Sequence, residues 1–143
     1  MQLAGIKKVM MSSEALTAHT ICIVDDDEAV RDSLSLLLLT RGFLVRTYES
    51  AKAYLADTAC RDCGCLLVDM NMPEMTGLDL LHTLRERGDA APAIMVSGGA
   101  DKSLALRAEQ AGALGLLKKP VNDDELVVWV DRAISKRSNS DGN

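Results

Sequence analysis

Residues 65–77 read CLLVDMNMPEMTG, and the prediction of the fold depends mainly on this segment. It begins with a short apolar run bounded by turn signals, which is typical of a strand buried on both faces. Pro73 disfavours a helix around it, and Gly77 offers a bend before the next periodic segment. Asp69 is therefore predicted at the carboxyl end of a central strand, where open α/β sheets bind their ligands. Considered alone, this aspartate is better explained as a residue that caps a turn.

The composition is typical of one globular domain. The 143 residues are 48% hydrophobic and 26% charged, which is enough for a full core in a single domain. The net charge is −5 and no basic stripe is present, which argues against nucleic-acid binding by this chain. The longest apolar run is too short to span a bilayer, and the first twenty residues lack the features of a secretory signal. We therefore predict a cytoplasmic protein that does not bind membranes.

Apolar segments that alternate with helical patterns predict an α/β domain with a five-stranded parallel sheet and helices on both faces. The strands are expected at residues 20–24, 43–48, 65–69, 93–96 and 114–117, and the helices at residues 27–40, 50–56, 77–87, 101–112 and 122–136. A flavodoxin-like strand order, 2-1-3-4-5, would open a crevice between the first and third strands. Residues 1–19 are predicted to be a flexible or partner-dependent extension, and residues 137–143 a polar tail.

The strongest clue to function is where polar residues fall relative to the predicted strands. The first strand ends at Asp25 and Asp26, the third at Asp69, the fourth at Ser97 and the fifth at Lys119. All parallel strands end at the same edge of their sheet, so we expect these five side chains to converge on one pocket.

This set of side chains is suited to phosphoryl chemistry. Carboxylates placed together raise one another's pKa unless a positive charge intervenes. Mg²⁺ can supply that charge, because it binds a few protein oxygens together with waters and phosphate oxygens. The metal and Lys119 would neutralise a phosphoryl group, and the Ser97 hydroxyl would donate a hydrogen bond to it. Asp69 is then the nucleophile that takes up phosphate as an acyl phosphate, in a reaction that depends mainly on positioning and charge.

Four segments together resemble the receiver domain of two-component response regulators, the CheY-like family. They are VDDDEAVR after the first strand, LLVDMNMPEMTGLDLL around the third, MVSGG after the fourth and AGALGLLKKP through the fifth. The resemblance covers about residues 20–135, so we expect a receiver domain over residues 20–136. It implies that a sensor histidine kinase transfers a phosphoryl group to Asp69 in a Mg²⁺-dependent reaction. It also implies that the signal passes on through protein–protein contacts.

The resemblance further implies a role for each matched residue. Asp69 is the phosphoacceptor and a metal ligand, Asp26 binds Mg²⁺ directly, and Asp25 acts partly through water. Asn71 is expected to bind the metal through its backbone carbonyl.

Around the phosphoryl group, the resemblance assigns Ser97 as the switch hydroxyl and Lys119 as the phosphate-binding lysine. Pro120 is expected to follow this lysine through a cis peptide bond, which X–Pro permits at low cost. Leu116 departs from the family pattern, which usually has an aromatic residue here that moves inward on phosphorylation.

Two other features of the sequence invite predictions. The apolar run at residues 126–130 is too long for one buried helical stripe, so part of it must face outward. We predict a partner surface formed by the last two helices and the fifth strand, and a homodimer. The cluster of Cys60, Cys63 and Cys65 lacks a fourth ligand and a nearby histidine, so we predict no zinc or redox function.

The leading hypothesis is a signalling module rather than an enzyme, without an output domain of its own, acting on a downstream protein target or a phosphotransfer protein. Its closest alternative is a receiver-domain fragment of a DNA-binding transcriptional regulator. A phosphatase with an aspartate nucleophile is a further alternative, but such enzymes need a D-x-D pattern followed by a small hydroxyl residue or Val, whereas Asp27 is followed directly by Glu28 and a helix. Gly99 leaves the acyl phosphate open to water, so we expect a short-lived phosphoryl state.

Overall fold

A computed structural model describes residues 20–57, 63–99 and 102–141. The predicted extension at residues 1–19 lies outside the described residues, as does Cys60. Within the described parts, no helix is both long enough and apolar enough to cross a membrane.

Five strands alternate with five helices in the described residues. The strands are β1 (Thr20–Val24), β2 (Leu44–Tyr48), β3 (Cys65–Asp69), β4 (Ala93–Ser97) and β5 (Gly115–Lys118). The helices are α1 (Glu28–Thr40), α2 (Ala51–Ala56), α3 (Gly77–Glu86), α4 (Lys102–Gln110) and α5 (Asp123–Asp141). All neighbouring strands pair in parallel in the order β2-β1-β3-β4-β5. The predicted fold class and strand order are therefore confirmed.

Alternate side chains of the central strands enter two hydrophobic clusters, one on each face of the sheet. On one face, Ile23 and Leu67 join a cluster completed by α1 and α5. On the other face, Val24 and Val68 join a cluster completed by α2, α3 and α4. Strands β3 and β4 are buried over their whole length, because both faces of the sheet are covered by helices.

Local interactions fix the start and the end of α1, the helix that follows Asp25 and Asp26. The Asp27 carboxylate accepts hydrogen bonds from the backbone N–H groups of Ala29 (2.9 Å) and Val30 (3.4 Å), so it caps α1. Gly42 follows the end of this helix with a φ of 92°, a left-handed conformation that favours glycine.

The structure departs from the predicted boundaries mainly at the end of the described chain. Helix α5 continues to Asp141, beyond the expected end at Lys136, so the predicted polar tail is helical over most of its length. Within this helix Leu126 and Val130 are fully buried while Val128 is 52% exposed. The expectation that part of this apolar run faces outward is therefore confirmed.

Candidate functional site

The three aspartates of the candidate site meet at the carboxyl edge of the sheet. Carboxylate oxygens of Asp25, Asp26 and Asp69 all lie within 4.8 Å of one another. The Lys119 Nζ lies 3.0 Å from Asp25 Oδ2 and 3.5 Å from Asp69 Oδ1. Residues far apart in the sequence therefore form one compact charged cluster, because β1, β3 and β5 all end at this edge.

Ser97 and Asn71 complete the pocket beside Asp69. The Asn71 side-chain amide lies 3.5 Å from the Ser97 hydroxyl and donates to it, and the Gly99 backbone N–H donates to the same oxygen at 3.2 Å. The Asn71 backbone N–H also donates to Asp69 Oδ1 at 3.1 Å. Ser97 is fully buried at the end of β4. The role of the Asn71 backbone carbonyl stays a prediction, and this contact of its side chain was not predicted from the sequence.

Asp25 is held in place from several sides. Its backbone N–H donates to the Tyr48 carbonyl at 3.1 Å, and its Oδ1 accepts from the Asp27 backbone N–H at 2.9 Å. Its backbone carbonyl accepts a hydrogen bond from Arg31 NH1 at 2.7 Å. Asp25 and Asp69 are buried, whereas Asp26 is exposed at the mouth of the cluster. Access to the cluster is thus from the side of Asp26.

The loop after Asp69 is shaped by tight backbone contacts. The Met75 N–H donates to the Pro73 carbonyl at 2.8 Å, and the residue between them, Glu74, has a φ of 70°. This conformation is uncommon for a residue with a side chain. A Cβ on Gly77 would overlap the Asp69 carbonyl oxygen, so only glycine permits α3 to start so close to β3. From its position in the sequence, Gly77 was expected only to form a bend.

Burial and the neighbouring charges shift the pKa values of the two central groups. Burial raises the pKa of Asp69 to about 6; the Asn71 N–H and Lys119 oppose this shift, and the Asp25 charge adds to it. Burial alone would lower the pKa of Lys119, but its hydrogen bond to Asp25 and the charges of Asp25 and Asp69 raise it above the usual value. Lys119 is therefore a cation at neutral pH. It contacts the carboxylate of Asp69, whose ionisation is made less favourable by burial.

The donor set fits a hard divalent cation. Three carboxylates within 4.8 Å repel one another, and oxygen donors of this kind are the ligands that Mg²⁺ prefers. They are the one group of potential metal ligands found in the described part of the chain.

Cys63 and Cys65 are buried, and Cys63 Sγ donates to the Cys65 carbonyl at 2.9 Å. The absence of a cysteine metal site stays a prediction, because Cys60 lies outside the described residues.

Leu116 and Trp129 lie on opposite sides of β5. Leu116 packs against the cluster shared with α3 and α4, whereas Trp129 packs against the cluster shared with α1 and α5. The Trp129 ring lies over Gly115, where a Cβ would come within 2.7 Å of it. The Lys119–Pro120 peptide is cis, as expected. The family pattern places an aromatic residue at position 116. In this chain the tryptophan instead lies on the opposite face of β5.

The α/β fold and the acidic cluster at its strand ends are typical of receiver domains, which are generally phosphoacceptor signalling modules. The family model of the response regulator receiver domain matches residues 21–131, and the chain belongs to that family. The acidic cluster is typical of the Mg²⁺ site of receiver domains. The resemblance noted in the sequence is therefore confirmed.

Several known proteins are similar to this chain. The response regulator protein TodT of Pseudomonas putida is 39% identical over 127 residues, which are 86% of this chain and 56% of TodT. The transcriptional regulatory protein FixJ of Rhizobium meliloti is 37% identical over 118 residues, which are 82% of this chain and 58% of FixJ. The solved structure of the response regulator StyR superposes with a TM-score of 0.80 at 32% identity and covers 86% of this chain and 62% of StyR. The chain spans little more than half the length of these curated relatives.

Proposed function

We propose that this chain accepts a phosphoryl group on Asp69 from a sensor histidine kinase, in a Mg²⁺-dependent reaction, and signals through protein–protein contacts. The observation that carries the proposal is the position of Asp69. It ends the central strand within 4.8 Å of two further carboxylates and with Lys119 Nζ 3.5 Å away.

In the proposed reaction, the P–N bond of a phosphohistidine breaks as a P–O bond forms to a carboxylate oxygen of Asp69, and the histidine nitrogen keeps the bonding electron pair. Lys119 is placed to pair with a phosphoryl oxygen, because it already contacts the acceptor carboxylate. The Ser97 hydroxyl, held by Asn71 and Gly99, can direct its proton to another phosphoryl oxygen. Positioning and charge compensation of this kind account for most catalysis of phosphoryl transfer.

The proposed metal ligands are Asp26 and Asp69 directly, Asn71 through its backbone carbonyl, and Asp25 through water. When bound, Mg²⁺ would neutralise charge that develops on the phosphoryl oxygens. The burial of Asp25 and its ion pair with Lys119 support an indirect role for Asp25, whereas the exposure of Asp26 supports a direct one.

A groove of about 420 Å³ adjoins the site and supports docking of a phosphodonor. It lies between α1 and the segment after β5, and its lining is mainly apolar: Ala29, Val30, Ser33, Leu34, Leu37, Lys119, Pro120, Val121 and Asp123. Lys119 belongs to both the groove and the site, so a protein seated in the groove would lie next to Asp69. We propose that the kinase, or a phosphotransfer protein, binds here with an apolar helix face.

The test of the proposed chemistry is uptake of phosphate from acetyl phosphate with Mg²⁺, followed by the mass of the intact chain. We expect one phosphoryl group on the wild type, none on Asp69→Asn, and none when EDTA replaces Mg²⁺. Asp27→Asn is the matched control, because asparagine keeps the helix cap while one neighbouring acid is removed. Uptake by Asp69→Asn at the wild-type level would refute the proposal.

We further propose that α4, β5 and α5 form a homodimer surface. Leu106 on α4 is 54% exposed and Val128 on α5 is 52% exposed, so both apolar side chains are accessible to a partner. Light scattering with and without beryllofluoride tests this, and a strict monomer under both conditions would contradict it.

A second candidate is the receiver part of a longer, DNA-binding transcriptional regulator. The observation in its favour is that the matched region makes up 56% of TodT and 58% of FixJ, which is described as a transcriptional regulatory protein. Sequencing the transcript past the codon for Asn143 distinguishes the two. A reading frame that continues into a helix-turn-helix segment would favour this candidate, and a stop codon would favour the stand-alone module.

A further inference from the structure

Arg31 makes a contact whose purpose the proposed reaction does not explain. It lies in the first half of α1, and its side chain reaches back so that NH1 donates to the backbone carbonyl of Asp25 at 2.7 Å. In the described part of the chain, no ion pair joins Arg31 to a carboxylate. The guanidinium is therefore used to hold a piece of backbone, and that backbone carries the acidic cluster.

The hydrogen bond to the Asp25 carbonyl restrains the turn that carries Asp26. The carbonyl of Asp25 and the N–H of Asp26 belong to one planar peptide unit, so fixing the carbonyl fixes the rotation of the whole unit. Asp26 follows this peptide in the turn between β1 and α1, so a bond from α1 to the end of that strand limits the movement of the backbone that carries its side chain. Asp25 is already buried and held through its own side chain, whereas Asp26 is exposed. The contact with Arg31 thus matters more for the geometry of Asp26 than for that of Asp25.

Electrostatics alone would make an arginine unfavourable beside a cation site. Its positive charge repels a divalent cation and so lowers affinity for the metal. Three carboxylates within 4.8 Å, however, also repel one another and tend to separate. A strong, charge-assisted hydrogen bond to the turn that carries two of them opposes that separation. The two effects of Arg31 on metal binding therefore have opposite signs.

We propose that Arg31 is a positioning residue for the Mg²⁺ site, which holds the peptide between Asp25 and Asp26 so that Asp26 faces the cluster. The inference rests on the proposed Mg²⁺-dependent phosphorylation of Asp69. If it holds, the positioning effect exceeds the charge effect, and loss of Arg31 weakens Mg²⁺ binding. Interactions that orient metal ligands typically account for a 10–100-fold change in metal affinity or activity.

The experiment compares Arg31→Met with Arg41→Met in the full chain, using Mg²⁺ alone as the ligand in calorimetric titrations. Arg41 is an exposed arginine at the other end of the same helix, so its loss removes an equal charge without touching the cluster. We expect the dissociation constant for Mg²⁺ to rise roughly tenfold in Arg31→Met, and to stay within twofold of wild type in Arg41→Met. Unchanged or tighter binding in Arg31→Met would overturn the inference.

Phosphoryl uptake from acetyl phosphate separates this inference from the proposed function. We expect Arg31→Met to need more Mg²⁺ for half-maximal uptake but to reach the wild-type rate at saturating Mg²⁺. A purely structural role would lower stability without shifting the Mg²⁺ requirement, and would overturn the inference. If wild type takes up no phosphate, the proposed function fails, whereas the titrations still report on Arg31. Should Arg31→Met not fold, weaker Mg²⁺ binding by Arg31→Lys than by Arg41→Lys supports the inference, and equal or tighter binding overturns it.

Discussion

Replacing Asp69, the proposed phosphoacceptor, by its neutral isostere should stabilise the protein and abolish the proposed phosphoryl uptake. Asp69 is 3% exposed, and burial raises the pKa of its carboxyl from 3.8 to about 6. The folded state therefore binds this proton more tightly than the unfolded state does. By linkage, stability falls as the pH rises from about 4 to about 6, and the full penalty applies above pH 6. Asp69→Asn keeps the acceptor for the Asn71 N–H but carries no charge.

The loss of stability caused by ionising Asp69 can be calculated from the rise in its pKa. A change of about two pKa units corresponds to about 3 kcal/mol. The cluster opens to water beside the exposed Asp26, which reduces the realised cost. We therefore expect the free energy of unfolding of Asp69→Asn to exceed that of wild type by about 1–3 kcal/mol. This difference applies at pH 7.5, with EDTA present to remove divalent metal. The difference should shrink as the pH falls from 6 towards 4, where wild-type Asp69 becomes protonated.

Urea unfolding followed by circular dichroism from pH 4.5 to 7.5 measures the difference. Asp32→Asn is the control, because Asp32 is exposed on α1 and the substitution removes the same charge away from the pocket. Adding Mg²⁺ should narrow the gap by stabilising wild type, since a ligand that binds only the folded state raises its stability. The reasoning is refuted if Asp69→Asn is no more stable than wild type at pH 7.5, or if the gap does not depend on pH.

Three further predictions follow from local geometry. Asp27→Ala removes the acceptor for two N–H groups at the start of α1 and should lower the free energy of unfolding by about 1 kcal/mol in urea; an unchanged midpoint would contradict this. Gly115→Ala places a Cβ within 2.7 Å of the Trp129 ring and should cost about 1–3 kcal/mol, with a change in tryptophan fluorescence; full stability with an unaltered spectrum would disprove the close contact. A Cβ at Gly99 meets open space beside Ser97, so Gly99→Arg should fold normally and lengthen the phosphoryl lifetime by shielding it from water; an equal lifetime would count against the open-access prediction.

The sequence predicted best those features that depend on short-range patterns. The central strand was recognisable because its apolar run is bounded by turn signals and ends at Asp69. The convergence of the aspartates with Lys119 followed from the parallel sheet, since its strand ends share one edge.

Features that depend on side-chain reach or on close approach of backbones left no periodic signal. The contact from Arg31 to the Asp25 carbonyl is invisible in residue spacing, because it depends on which way a long side chain folds back. The role of Gly77 arises from contact with a carbonyl on another element. The final helix was predicted too short, because apolar periodicity fades after Ile134 while the backbone remains helical to Asp141.

The charge of the cluster explains why the site should need a divalent cation in particular. Three ionised carboxylates and the Lys119 ammonium leave two uncompensated negative charges in a mostly buried pocket. A divalent cation brings this total to zero, whereas a monovalent one leaves a charge that burial makes costly. Phosphorylation adds a doubly charged group but removes the charge of the Asp69 carboxylate, so the pocket gains only one negative charge. Lys119 can pair with a phosphoryl oxygen by turning away from Asp69, because its shorter ion pair with Asp25 keeps it in place.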